Sequence, residues 1–148
     1  MRIDYASALP AARTALLGLE KVVHQADLDP RLVELVKIRA SQINGCAHCL
    51  EMHTTEARAL GEDQQRLDLV AAWPEAACFS EQERAALGWC EAVTCIADTR
   101  APDAVYDAVA KQFEPAQIVA LTLAIAAINT WNRMNVAFRI PTSGEHRG

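Results

Sequence analysis

The chain has 148 residues, 51% of them hydrophobic, and a net charge of −5; that is one ordinary domain with enough apolar material to bury a core without staples. The acidic balance, with a pI of about 5.3, excludes the basic face that nonspecific nucleic-acid binding needs. The longest apolar run, 118–128, is interrupted by Thr122 and too short to span a bilayer, and the N-terminus carries no secretory pattern, so the expected location is the cytoplasm.

Apolar residues at helical spacing (Leu16, Leu17, Leu19, Val22, Val23) predict a first helix over 11–24. Asp29 is a good N-cap with Pro30 at the first turn, and it opens a second helix over 30–43 that Asn44-Gly45 ends. A third helix is expected over 46–60, stopped by Gly61, and a short fourth over 64–73, stopped by Pro74. Ser80-Glu81-Gln82-Glu83 is a capping-box pattern starting a helix to about residue 97. Pro102 and Pro115 start the last two, over 102–113 and 115–138, and the polar tail 141–148 is expected to be flexible. No strand alternation persists, no repeat is visible and no linker divides the chain. The expectation is a single all-α domain, 1–148, of six to seven helices. The last helix is apolar on nearly every side, which predicts a central place in the fold or a shared subunit interface, and hence a homo-oligomer.

The chemistry is concentrated between Glu34 and His53. Cys46 and Cys49 are separated by two residues, and His53 follows Cys49 by four. At about 100° per residue the three share an arc of about 60° on one helix face, with His53 about 6 Å along the axis from Cys49 and about 10 Å from Cys46. His53 is therefore the natural base for Cys49. The two cysteines are close enough for a disulfide, and a helix N-terminus with a nearby histidine lowers a thiol pKa. A thiolate in that setting attacks a peroxide, becomes a sulfenic acid and condenses with the neighbouring thiol. Zinc is the alternative: Cys46, Cys49 and His53 offer three ligands and His48 or Glu34 a fourth, but the second ligand pair usual in structural zinc sites is missing. Judged on spacing alone, Glu34 reads as a surface acid paired with Lys37.

The pattern Glu34, eleven residues, Cys46-x-x-Cys49, three residues, His53, with His48 directly before the second cysteine, resembles the signature of the alkylhydroperoxidase D-like proteins of the carboxymuconolactone decarboxylase superfamily. The flanking segment 36–46 is similar too. So is Asn129-Thr130-Trp131-Asn132-Arg133-Met134-Asn135, typical of the peroxidase-related branch. The resemblance implies an all-helical trimer or hexamer that reduces hydroperoxides. Cys49 would attack, Cys46 would donate a proton and resolve, and Glu34, His48 and His53 would relay protons. It also implies a dithiol reductant, a lipoyl-bearing or thioredoxin-like protein. The decarboxylase branch does not use a cysteine pair, so Cys46 and Cys49 argue against lactone chemistry. A dithiol–disulfide relay without direct peroxide chemistry is the second reading. No cofactor is expected.

Cys78, Cys90 and Cys95 lack partner spacing and are expected to pack in the core, as are Trp73, Trp89 and Trp131. Asn129, Asn132 and Arg133, polar residues ending an apolar helix, need partners from an interface or a neighbouring chain's site.

Overall fold

The computed structural model describes residues 1–144; the last four residues of the polar tail, 145–148, lie outside the described residues. All regular structure in it is helical: α1 (Tyr5–Ala8), α2 (Pro10–Gln25), α3 (Pro30–Asn44), α4 (Ala47–Ala59), α5 (Gln64–Leu69), a 3-10 turn Val70–Ala72, α6 (Glu81–Thr94), α7 (Ile96–Thr99), α8 (Asp103–Ala110) and α9 (Pro115–Phe138).

Local chemistry sets most of these boundaries. Asp29 accepts from Arg31 N at 2.9 Å, with Pro30 at the first position of α3. Ser80 and Glu83 complete a reciprocal capping box at the start of α6. Two helices exceed the sequence expectation. Asp4 caps α1 through its carboxylate, and the helix expected to reach residue 97 breaks at Cys95, where the chain restarts as α7. The helix expected over 64–73 is α5 followed by the 3-10 turn.

Central burial belongs to α3, which packs against α4, α6 and α9. Every residue from Leu32 to Ile38 is buried, Glu34 and Lys37 included. The main core joins Leu32, Val36 and Ala40 of α3 to Ala86, Trp89 and Cys90 of α6 and Leu121, Ile125 and Ile128 of α9, with both site cysteines inside it. A second cluster, Leu35, Ile38, Ala57, Leu67 and Leu87, holds α4 and α5 to the other side of α3. Each such leucine or isoleucine contributes roughly 1.5–3 kcal/mol by leaving water.

Helix α9 is central on one side only. It buries one broad side and leaves Val119 69% exposed and Val136 46% exposed. Asn129, Asn132 and Arg133 find their partners within the chain. Asn44 Nδ2 donates to Asn129 Oδ1 at 3.0 Å and to Asn132 Oδ1 at 2.9 Å, and Asn132 Nδ2 donates to Ser41 Oγ at 3.0 Å. Arg133 donates back to Asn129. This amide network fastens the end of α3 to α9. Cys90 is buried as expected, but Cys78 is exposed and Cys95 half-buried, because the loop after the 3-10 turn and the α6–α7 break run along the surface. No helix among the described residues is long and apolar enough to cross a membrane.

Candidate functional site

The site begins where α3 ends. Gly45 takes the left-handed conformation, φ 66°, and two hydrogen bonds close the turn, Gly45 N to Gln42 O and Cys46 N to Ser41 O. This is a Schellman arrangement, for which glycine carries no steric cost. The turn delivers Cys46 directly as the N-cap of α4. Cys46 is therefore extended rather than helical, and its sulfur accepts from Cys49 N at 3.3 Å. The helical-wheel reading, which counted Cys46 as part of the helix, misplaces its backbone. The two sulfurs nevertheless meet in a disulfide, with the Cα atoms 5.3 Å apart. Both cysteines are buried.

His53, one turn further along α4, is buried and faces α3. Its Nδ1 lies 2.8 Å from Glu34 Oε2 and 3.4 Å from Glu56 Oε2. The hydrogen bond assigns the proton to Nδ1 and leaves Nε2 as the nitrogen free for proton exchange. Burial, the largest single influence, disfavours the charged ring. The hydrogen bonds to Glu34 and Glu56, with the charge of Glu34, outweigh it and raise the His53 pKa above its ordinary value. Glu34 is thus no surface acid. It is buried, bonded to His53, and 4.0 Å from Lys37 Nζ, which in turn reaches Glu20 at 2.6 Å.

His48 donates Nδ1–H to the Pro141 carbonyl at 2.7 Å, and Glu51 accepts from Ser143 N and Oγ. The described start of the tail therefore lies along α4. His48 borders two cavities. One, about 350 Å³, is also lined by Tyr5, Lys37, His53, Trp131 and Asn135; the other, about 380 Å³, by Met1, Gly45, Cys46, Asn135 and Arg139.

Of the expected site residues, Cys46 and Cys49 form the disulfide, Glu34 and His53 are hydrogen-bonded to each other, and His48 borders both the cavity beside Cys46 and the one beside His53. No hydrogen bond joins His53 to a sulfur among the described residues; the side chain that donates to Cys49 Sγ is Asn135, at 3.3 Å. Asn135 was visible only as part of the Asn-rich end of α9, and Tyr5, which holds its amide, gave no local signal. The zinc set drawn from the sequence is not assembled, since both sulfurs are bonded to each other. Glu34, His53 and Glu56 do converge within 4.8 Å, as partners of one histidine N–H beside the Lys37 ammonium.

The family model for carboxymuconolactone decarboxylases matches residues 7–92, including the whole of α3 and α4. The chain belongs to the carboxymuconolactone decarboxylase family. It is 40% identical over 136 residues, 92% of each chain, to the uncharacterized protein YdfG of Bacillus subtilis (strain 168). Among solved structures, a protein of unknown function from Agrobacterium tumefaciens, provisionally assigned to antioxidant defence as AhpD, superposes with a TM-score of 0.94 at 46% identity, covering 97% of this chain and 99% of its own. An uncharacterized peroxidase-related protein from Ralstonia eutropha JMP134, described as an alkylhydroperoxidase AhpD core, shares the fold with a TM-score of 0.82 at 20% identity, over 95% of this chain and 75% of its own. Within the carboxymuconolactone decarboxylase family, then, this chain has the AhpD-like all-helical fold with an intact Cys-x-x-Cys disulfide.

Proposed function

We propose that this protein is a thiol-dependent hydroperoxide reductase in which Cys49 attacks and Cys46 resolves. The observation that carries the reading is a buried Cys46–Cys49 disulfide on the helix that also carries His53, whose Nδ1–H is held by Glu34 so that Nε2 is left to accept a proton. In the dithiol form, Cys49 gives its proton to His53. The Cys49 thiolate attacks a hydroperoxide oxygen, the S–O bond forms and the O–O bond breaks. The departing alkoxide recovers the proton from His53 and leaves as an alcohol. The Cys46 thiol then condenses with the Cys49 sulfenic acid, forming the disulfide and releasing water. Glu34 orients His53, and His48 lies between the two cavities as a further proton carrier.

Resetting the pair requires two electrons from a dithiol. A reductant thiolate attacks Cys46, whose residue borders the cavity shared with Gly45 and Arg139; Cys49 leaves as a thiolate, and the second reductant thiol then displaces Cys46. A lipoyl-bearing or thioredoxin-like protein supplies that chemistry. The same access favours the second reading, a dithiol–disulfide relay without peroxide chemistry. The apolar depression of about 550 Å³ formed by Trp89, Tyr106, Ile118, Val119 and Leu123 is where a homo-oligomer, a trimer or hexamer, would join.

The test is intact mass after one equivalent of cumene hydroperoxide, for wild type and Cys46→Ser, with a sulfenic-acid trap present. Reduced wild type should lose two hydrogens, and the variant should carry the trap on Cys49. If both stay unmodified, the peroxidase reading is wrong and the relay becomes the leading one.

A further inference from the structure

Asn135 is 6% exposed, near the end of α9, and its amide is committed at both ends. Nδ2–H donates to Cys49 Sγ at 3.3 Å, and Oδ1 accepts from the Tyr5 hydroxyl at 2.9 Å. The two sulfurs therefore have different donors, because Cys46 Sγ takes the backbone N–H of Cys49. A cysteine at a helix N-cap, with a backbone N–H on its sulfur, is the one the helix terminus makes more acidic. Left to the helix, the charge of the reduced pair would settle on Cys46, the resolving position. Chemistry at Cys49 needs a counterweight on the second sulfur.

We propose that Asn135 is a catalytic hydrogen-bond donor that places the thiolate on Cys49, and that Tyr5 is a positioning residue that anchors the amide beside the sulfur. The proposal rests on the reading of Cys49 as the attacking sulfur. Turned over, the amide would aim Oδ1 at the thiolate and repel it, so the sulfur's charge sets the orientation; the Tyr5 hydroxyl, donating to Oδ1, anchors the amide in it. The same bond serves the return reaction, since Cys49 becomes the leaving thiolate when a reductant attacks Cys46. The ionisable groups around the pair and its two cavities are Glu34 and Lys37 from α3, His48, His53 and Glu56 from α4, Tyr5 from α1, and Arg139 just past α9, which borders the cavity beside Cys46. Among the described residues their hydrogen bonds go elsewhere than to a sulfur. Asn135 is the side chain that tells the two sulfurs apart.

The experiment is the pH dependence of Cys49 alkylation by iodoacetamide, followed on the Cys49 peptide by mass spectrometry. It compares Cys46→Ser with Cys46→Ser/Asn135→Leu and Cys46→Ser/Tyr5→Phe. A hydrogen bond to a charged group is worth enough that Asn135→Leu should raise the Cys49 midpoint by about one pH unit, an approximately tenfold loss of thiolate. Tyr5→Phe, which removes only a hydroxyl, should shift it in the same direction by less. Coincident profiles for all three overturn the proposal. A shift with Asn135→Leu alone removes Tyr5 and keeps Asn135. If Asn135→Leu fails to fold, Tyr5→Phe decides, and an unmoved profile counts against the proposal. Alkylation needs no peroxide, so shifted profiles in a protein inert to cumene hydroperoxide would leave the donor role standing and remove the peroxidase reading. Prompt oxidation with unshifted profiles would do the reverse.

Discussion

Glu34 and His53 are 19 residues apart in sequence and joined by a 2.8 Å hydrogen bond between their side chains. The bond sits in a longer string in which Glu20 on α2 pairs with Lys37, Lys37 approaches Glu34, and His53 touches both Glu34 and Glu56. Three helices are thus tied together by alternating charge at the wall of the site.

Glu34→Gln should lower the His53 pKa. In the native protein that pKa is raised, although burial opposes the charge, because Glu34 and Glu56 hold the proton. Folding therefore favours protonated His53. The resulting stability is fully present below the unfolded-state pKa of about 6.5 and is lost as pH rises through the folded value. Any step that needs the His53 proton should then fade at lower pH in the variant. NMR titration of the His53 ring measures this directly, and an unmoved midpoint would show that Glu34 does not hold the proton.

Lys37→Met should destabilise the fold by about 3–5 kcal/mol, the cost of removing one partner from a buried ion pair. The Lys37 side chain is 4% exposed and Glu20 and Glu34 would face each other without it. The same change should raise the His53 pKa further, since the Lys37 charge lowers it. Urea unfolding and the histidine titration test the two effects separately. An unfolding midpoint equal to wild type would remove the string from the forces holding α2 to α3.

The remaining thiols should separate cleanly by reactivity. Burial pushes the Cys90 thiol up to about 12, and its S–H donates to the Val36 carbonyl at 3.3 Å, while Cys78 is exposed. Iodoacetamide at pH 8 on the oxidised protein should label Cys78 and spare Cys90, read by peptide mapping. Labelling of Cys90 within minutes would mean that α6 opens from α3 far more readily than its packing implies.

Gly45→Ala should cost about 1–2 kcal/mol, the penalty of a Cβ in the left-handed region. An added Cβ there meets nothing within 4 Å, so the cost is confined to the backbone. Thermal melting should show the loss, and peroxide stoichiometry should not change.

What was legible in the sequence was local. Asp29-Pro30, Gly45 and the Ser80–Glu83 box each act over a turn or less, and each sets a helix end where the residues themselves suggested. The cysteine pair was legible as close enough for a disulfide for the same reason. Cys46 was misplaced onto the helix because a wheel cannot show that a left-handed glycine makes the next residue a cap. Glu34 became a site residue only through resemblance, since its partner is on another helix. The Tyr5–Asn135 contact spans 130 residues and depends on how α1 lies across the end of α9; no spacing rule reaches that far. The breadth of the apolar surface on α9 was legible, but which part of it packs inward depends on where α2, α3 and α6 fall.

The chain makes its two site cysteines long before it makes the residues that shelter them: Asn135 follows Cys49 by 86 positions, and Pro141 follows His48 by 93. During synthesis the dithiol motif therefore exists first as exposed sulfur on an unfinished domain, and acquires its hydrogen-bond donor only when α9 docks. A chain cut short before residue 135 would keep the whole cysteine motif and lose the residue that distinguishes one sulfur from the other.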